Sequence, residues 1–95
     1  MELEERKKLY ERAIASWGIN AQVDMVFEEC GELVAVLAKD RRGRVSKEEI
    51  LTELADVTIM CEQLATVLGY DDFETEKERK LERLGQRLDK YNGKG

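Results

Sequence analysis

Two pairs of carboxylates, each pair three residues apart within a helical pattern, constrain this chain more than any other feature. They are Glu29 with Glu32, and Glu53 with Asp56. A helix turns about 100° per residue, so the members of a pair lie roughly 60° apart on one side. Their place relative to the apolar stripe matters more than the spacing. Val23, Val26, Cys30, Leu33, Val34 and Leu37 form the stripe of the first motif's helix. Glu29 falls inside its arc, and Glu32 borders it beside Met25 and Val36. Ile50, Leu54, Val57, Cys61, Leu64 and Leu68 form the stripe of the second. Glu53 falls inside that arc near Met60, and Asp56 borders it near Val67. Glu28 points elsewhere but lies four residues from Glu32, within reach of a shared site.

Carboxylates are rarely buried without compensation, because desolvating a charge is costly. Two helices that bring acids to their packing faces therefore need a cation between them. Oxygen ligands without histidine select a hard ion, Mg²⁺ or Mn²⁺. The chain has no histidine, which also excludes di-iron bundles built on Glu-x-x-His.

Around these motifs the sequence predicts an all-α single domain over 1–95, with four helices. The first covers 2–17, with Leu3, Tyr10, Ile14 and Trp17 at helical spacing. Gly18 breaks it, and Asn20 is placed to cap a second helix over Ala21–Lys39. Residues 40–45, DRRGRV, read as a loop bending at Gly43, or as a basic flap that meets an anionic ligand. Ser46 and Glu49 form a capping-box pattern that starts a third helix ending at Gly69. Asp71 or Asp72 caps a fourth that runs to about Tyr91, with the tail NGKG frayed. Short loops imply antiparallel neighbours.

The net charge of -5, with acids and bases interleaved, argues against a binder of polymeric nucleic acid. No run approaches the ~20 apolar residues of a membrane span, and no signal peptide is visible. Cys30 and Cys61 both fall on apolar stripes and read as reduced small hydrophobes of a cytoplasmic protein.

The fourth helix offers cations for phosphate. Lys77 lies near the centre of the Phe73–Leu84–Tyr91 stripe, Lys80 and Arg87 flank it, and Arg83 stands one step further out. An inward Lys77 can pair with the acids or with phosphates. Trp17 reads either as a core anchor or as a wall for a nucleobase, with Asn20 and Gln22 beside it to contact base or sugar.

Taken together, these residues make the chain resemble the MazG-type nucleoside triphosphate pyrophosphohydrolases of the all-alpha NTP pyrophosphatase superfamily. The family pattern is EExxE, a spacer, then ExxD. Glu28, Glu29, Glu32, Glu53 and Asp56 match it, with Gln22 upstream, Leu33 after Glu32, and ELADV around the second motif. The resemblance covers about residues 13–84. It implies a four-helix MazG-like fold, a bundle completed by dimerisation or a dimer of dimers, and Mg²⁺-dependent hydrolysis of a nucleotide substrate to monophosphate and pyrophosphate. Under it, Glu29, Glu32, Glu53 and Asp56 hold metal, and Glu28 or Glu29 takes the proton of the attacking water. Lys77, Lys80 and Arg83 stabilise the departing pyrophosphate, without the asparagine that relatives often place near them. The rival reading is a non-catalytic helical interaction or regulatory protein whose acids form ion pairs between subunits.

Overall fold

The computed structural model describes residues 1–93. Among them are four helices and no strand: α1 (Leu3–Trp17), α2 (Ile19–Asp40), α3 (Lys47–Leu68) and α4 (Tyr70–Gly93). The all-α expectation holds at this level. Lys94 and Gly95 lie outside the described residues; Asn92 and Gly93, expected to fray, belong to α4.

Helix ends follow local chemistry. Glu2 and Glu5 form a reciprocal capping box at the start of α1. Ser46 caps α3 by accepting the Glu49 N–H at 3.2 Å, as its sequence predicts. Two other boundaries differ from expectation. Asn20 does not cap α2, and neither Asp71 nor Asp72 caps α4. Each helix restarts one residue after a glycine, at Ile19 and at Tyr70. Gly18 has φ +85° and Gly69 φ +121°, conformations that L side chains resist. Each glycine closes the preceding helix through its N–H, Gly18 to Ile14 O and Gly69 to Ala65 O, both at 2.8 Å. A single residue thus makes the joint, and no loop is left to supply a side-chain cap. A Cβ on Gly69 would also meet Asp72 Oδ2 at 3.1 Å. Gly69→Ala should therefore cost about 1–3 kcal/mol, read as a fall in the urea midpoint at unchanged slope; an unchanged midpoint would mean that the joint is not strained.

Helices α2 and α3 pack antiparallel as the closest pair, α1 lies on α3, and the start of α4 lies on α3 and touches α1 through Tyr70. The α1–α3 contact is polar at its centre. Tyr10 is buried and donates its O–H to Glu62, which also faces Arg6 Nε at 3.5 Å. Burial first, and then the Glu62 carboxylate, push the Tyr10 phenol up to about 12. Lys7 reaches over the Tyr70 ring, 5.1 Å from its centroid. Tyr70 in turn meets Phe73 edge-on, with ring centroids 5.6 Å apart.

The chain covers little of its apolar surface. Only Tyr10, Ala65 and Tyr70 are buried among the hydrophobic residues described. Each predicted stripe is split lengthwise. Val23, Val26 and Leu33 of α2 and Ile50, Val57 and Leu64 of α3 are half-buried between the helices. Cys30, Val34 and Leu37, with Leu54, Cys61 and Leu68, are exposed. The two cysteines are therefore free, exposed thiols and not core residues, a correction to the sequence reading. The Cα radius of gyration is 16.6 Å, against about 12 Å for a compact globule of this length.

Candidate metal centre

The antiparallel register of α2 and α3 sets the acids against one another. Gln22 of α2 bonds Met60 of α3, and seven residues further along α2, Glu29 meets Glu53 and Asp56. Glu29, Glu53 and Asp56 are half-buried, and their carboxylate oxygens lie within 4.8 Å of one another. Glu29 also groups with the exposed Glu28 and Glu32 within the same distance. All five acids singled out from sequence thus gather around Glu29.

Two atoms define the site. Glu29 Oε2 and Glu53 Oε2 are enclosed by protein and have no hydrogen-bond partner. A buried acceptor without a donor carries a desolvation cost, and ionised neighbours add repulsion. Both carboxyls titrate above the ordinary value of 4.5. For Glu29 desolvation is the largest cause, followed by the charges of Glu32, Asp56, Glu53 and Glu28. For Glu53 desolvation again leads, followed by Glu32 and Asp56. Among the described residues no cation forms an ion pair with any of the five. A set of hard oxygen donors, two of them unsatisfied, fits a small divalent cation such as Mg²⁺ or Mn²⁺.

The sign of the resulting pH dependence follows from the raised values. The folded protein holds these protons more tightly than the unfolded chain does. The associated stability is present below about pH 4.5 and is lost as pH rises through the raised folded values. Without metal, the melting temperature of Glu53→Gln should therefore gain on the parent as pH climbs from 4.5 toward neutrality. A difference between the two curves that stays flat with pH would show that the acids do not repel. Millimolar Mg²⁺ should raise the parent's melting temperature at neutral pH and leave the variant's nearly unchanged.

The helix faces that carry the acids line a cavity further along. On α2, Met25 and Gln22 lie four and seven residues before Glu29. On α3, Met60 and Gln63 lie seven residues after Glu53 and Asp56. These four side chains, with Trp17 and Ala21, line a cavity of about 290 Å³. Trp17 is 73% exposed, so it is no core anchor. A second, larger cavity of about 550 Å³ lies on the other side of Trp17, between α1 and α3.

The other sequence candidates take different places. Gln22 is buried, and its Nε2 donates to Met60 O at 3.2 Å. Only its amide oxygen is left for a ligand. Asn20 is exposed and does not line the cavity, because two residues of helix carry it roughly 160° round from Gln22. Lys77 pairs with Glu74 at 2.9 Å and lies 4.9 Å from the Phe73 ring centroid. The hydrogen bond it donates to Glu74 is the main reason its ammonium holds its proton more tightly than usual. Lys80 and Arg83 are exposed on α4, which does not approach α2. The chain therefore brings the acids together but not the basic residues with them.

Sequence reasoning missed Gln63 and the Tyr10–Glu62–Arg6 cluster. Gln63 was within reach of it, because it repeats Asp56 after two helical turns. The Tyr10 cluster links α1 to α3, and no period along one helix encodes that link. The comparisons add no identity: no family model, no curated protein and no solved structure matches this chain.

Proposed function

We propose that this chain is a divalent-metal-dependent nucleoside triphosphate pyrophosphohydrolase of the MazG-like kind, cutting between the alpha and beta phosphates. The observation that carries this reading is the pair of donorless oxygens, Glu29 Oε2 and Glu53 Oε2, on the helix faces that further along line the cavity beside Trp17. Seven residues of helix separate Glu29 from Gln22, about 10 Å at 1.5 Å per residue. That span suits a nucleotide whose phosphates sit on the acids and whose base lies against the indole. The cavity is at the small end for ligand sites, consistent with a base-sized group.

Glu29, Glu53 and Asp56 would hold Mg²⁺ or Mn²⁺, with Glu32 and Glu28 at the rim. When bound, the ion supplies charge neutralisation for the phosphates and activation of the attacking water. The chain does the rest. Glu28 or Glu29 accepts the water's proton as the water oxygen bonds the alpha phosphorus. The bond from that phosphorus to the bridging oxygen breaks, and its electron pair leaves with pyrophosphate. Trp17 stacks the base, and the Gln22 amide oxygen and Gln63 meet its edge. Lys77, Lys80 and Arg83 are the candidates for leaving-group stabilisation, a role that needs them closer to the acids than one protomer holds them.

With Mg²⁺ present, a panel of ribo- and deoxyribonucleoside triphosphates should yield monophosphate and pyrophosphate in phosphorus NMR. Release of orthophosphate instead, or no turnover across the panel with either Mg²⁺ or Mn²⁺, would overturn the assignment. The non-catalytic alternative satisfies the two enclosed oxygens with cations of a partner subunit in place of a metal. Metal titration separates the two readings, since only the enzyme requires stoichiometric binding.

A further inference from the structure

We propose that the distal half of α4 is an intermolecular arm that packs on the acidic body of a second copy of this chain. After Tyr70 and Phe73, every described residue of α4 is exposed. The twenty residues from Glu74 to Gly93 make a rod about 30 Å long. Along it Leu81, Leu84, Leu88 and Tyr91 repeat at intervals of three, four and three, the spacing of a seam that packs on another helical surface. Their exposures run from 49% to 77%. A helix with its apolar seam in water gains nothing from that seam, so a covering surface must come from elsewhere.

Charge identifies the occupant. Residues 79–93 carry five basic and two acidic side chains, a net +3. Residues 1–73, the body before that rod, carry nine basic and sixteen acidic, a net −7. Of the cations in 79–93 only Arg79 has an ion pair among the described residues, to Glu76 one turn earlier. The arm is a continuous helix directed away from its own body, so it meets that acidic surface only on another molecule. Two copies can exchange arms about a two-fold axis, which closes the assembly. This assignment is independent of the proposed hydrolysis.

Sedimentation of the full chain at micromolar concentration tests it, with carbodiimide cross-linking of a mixture of ¹⁵N-labelled and unlabelled protein. The parent should self-associate more weakly as salt rises, and the double variant Leu84→Glu/Leu88→Glu should dissociate at least tenfold more readily. Because the seam is exposed, the variant's circular dichroism should match that of the dissociated parent. Cross-links from Lys80 or Lys90 to acids within 1–73 should join labelled to unlabelled chains. Association unaffected by the seam variant, or cross-links confined to single chains, would overturn the arm. So would a monomeric parent whose α4 instead binds anionic vesicles or RNA.

Discussion

Replacing Glu53 by glutamine should lower hydrolysis by at least ~100-fold, the scale seen when one oriented electrostatic group is removed from a reacting centre. The metal-free variant should be as stable as the parent or more so. Both expectations come from one atom. Glu53 Oε2 is enclosed, has no donor, and lies among the acids grouped around Glu29. An amide keeps the shape, removes one charge, and adds an N–H donor to the group of acids. Loss of a metal ligand with gain in apo stability is a combination that a merely structural glutamate would not produce. Calorimetric titration with Mn²⁺ should show weakened binding in the variant. Near-parental turnover would remove Glu53 from the site, and a large drop in apo melting temperature would show that its charge serves the fold.

The protein should sediment as at least a dimer of its 11.0 kDa chain, and charge placed on the exposed flank of the α2–α3 pair should break it apart. On α2 that flank carries Phe27, 74% exposed, and Val34. On α3 it carries Leu51 and Leu54. The acids lie on the opposite flank of both helices, so association can cover the apolar side and leave the cavity open. Phe27→Glu should weaken association at least ~30-fold, in keeping with about 2 kcal/mol for an aromatic anchor at an interface. Leu54→Glu should act in the same direction. Leu64, which also lies on the α3 stripe, is a poorer probe, because it is half-buried within the protomer and its substitution would disturb the fold itself. An active parent that remains an 11.0 kDa monomer at every concentration would refute self-association. An associated parent unaffected by Phe27→Glu or Leu54→Glu would move the interface elsewhere. Combining Phe27→Glu with the α4 seam variant measures whether the two surfaces meet, since touching surfaces give non-additive losses.

Much of this architecture is legible along one strand of text. Period 3.6 marks four helices, Ser46 and Glu49 mark one helix start, and the acid pairs mark one face of each central helix. Even the gathering of five acids follows from placing two such faces together. What a period cannot say is which part of a wide apolar arc a neighbour will cover. In α2 and α3 the arc is wider than one partner helix, so Leu33 and Val57 turn inward while Val34 and Leu54 stay in water. Cys30 and Cys61 fall on the uncovered side for the same reason.

The register was equally hidden. Only the packed pair sets Gln22 against Met60, which turns that amide into a structural tie and aligns Glu29 with Glu53. Trp17 stands open at the end of α1, where Gly18 ends the helix, and lines the cavity with residues of α2 and α3. The course of α4 depended on Gly69 in the same way. Its sequence states an amphipathic helix with a basic flank, but the joint's geometry carries that helix off the body. Composition and period therefore determined the helices and their chemistry, while the tertiary structure determined which faces meet. The reason is physical: local sequence sets side-chain direction around each helix axis, whereas the placing of the axes comes from packing and from two backbone joints.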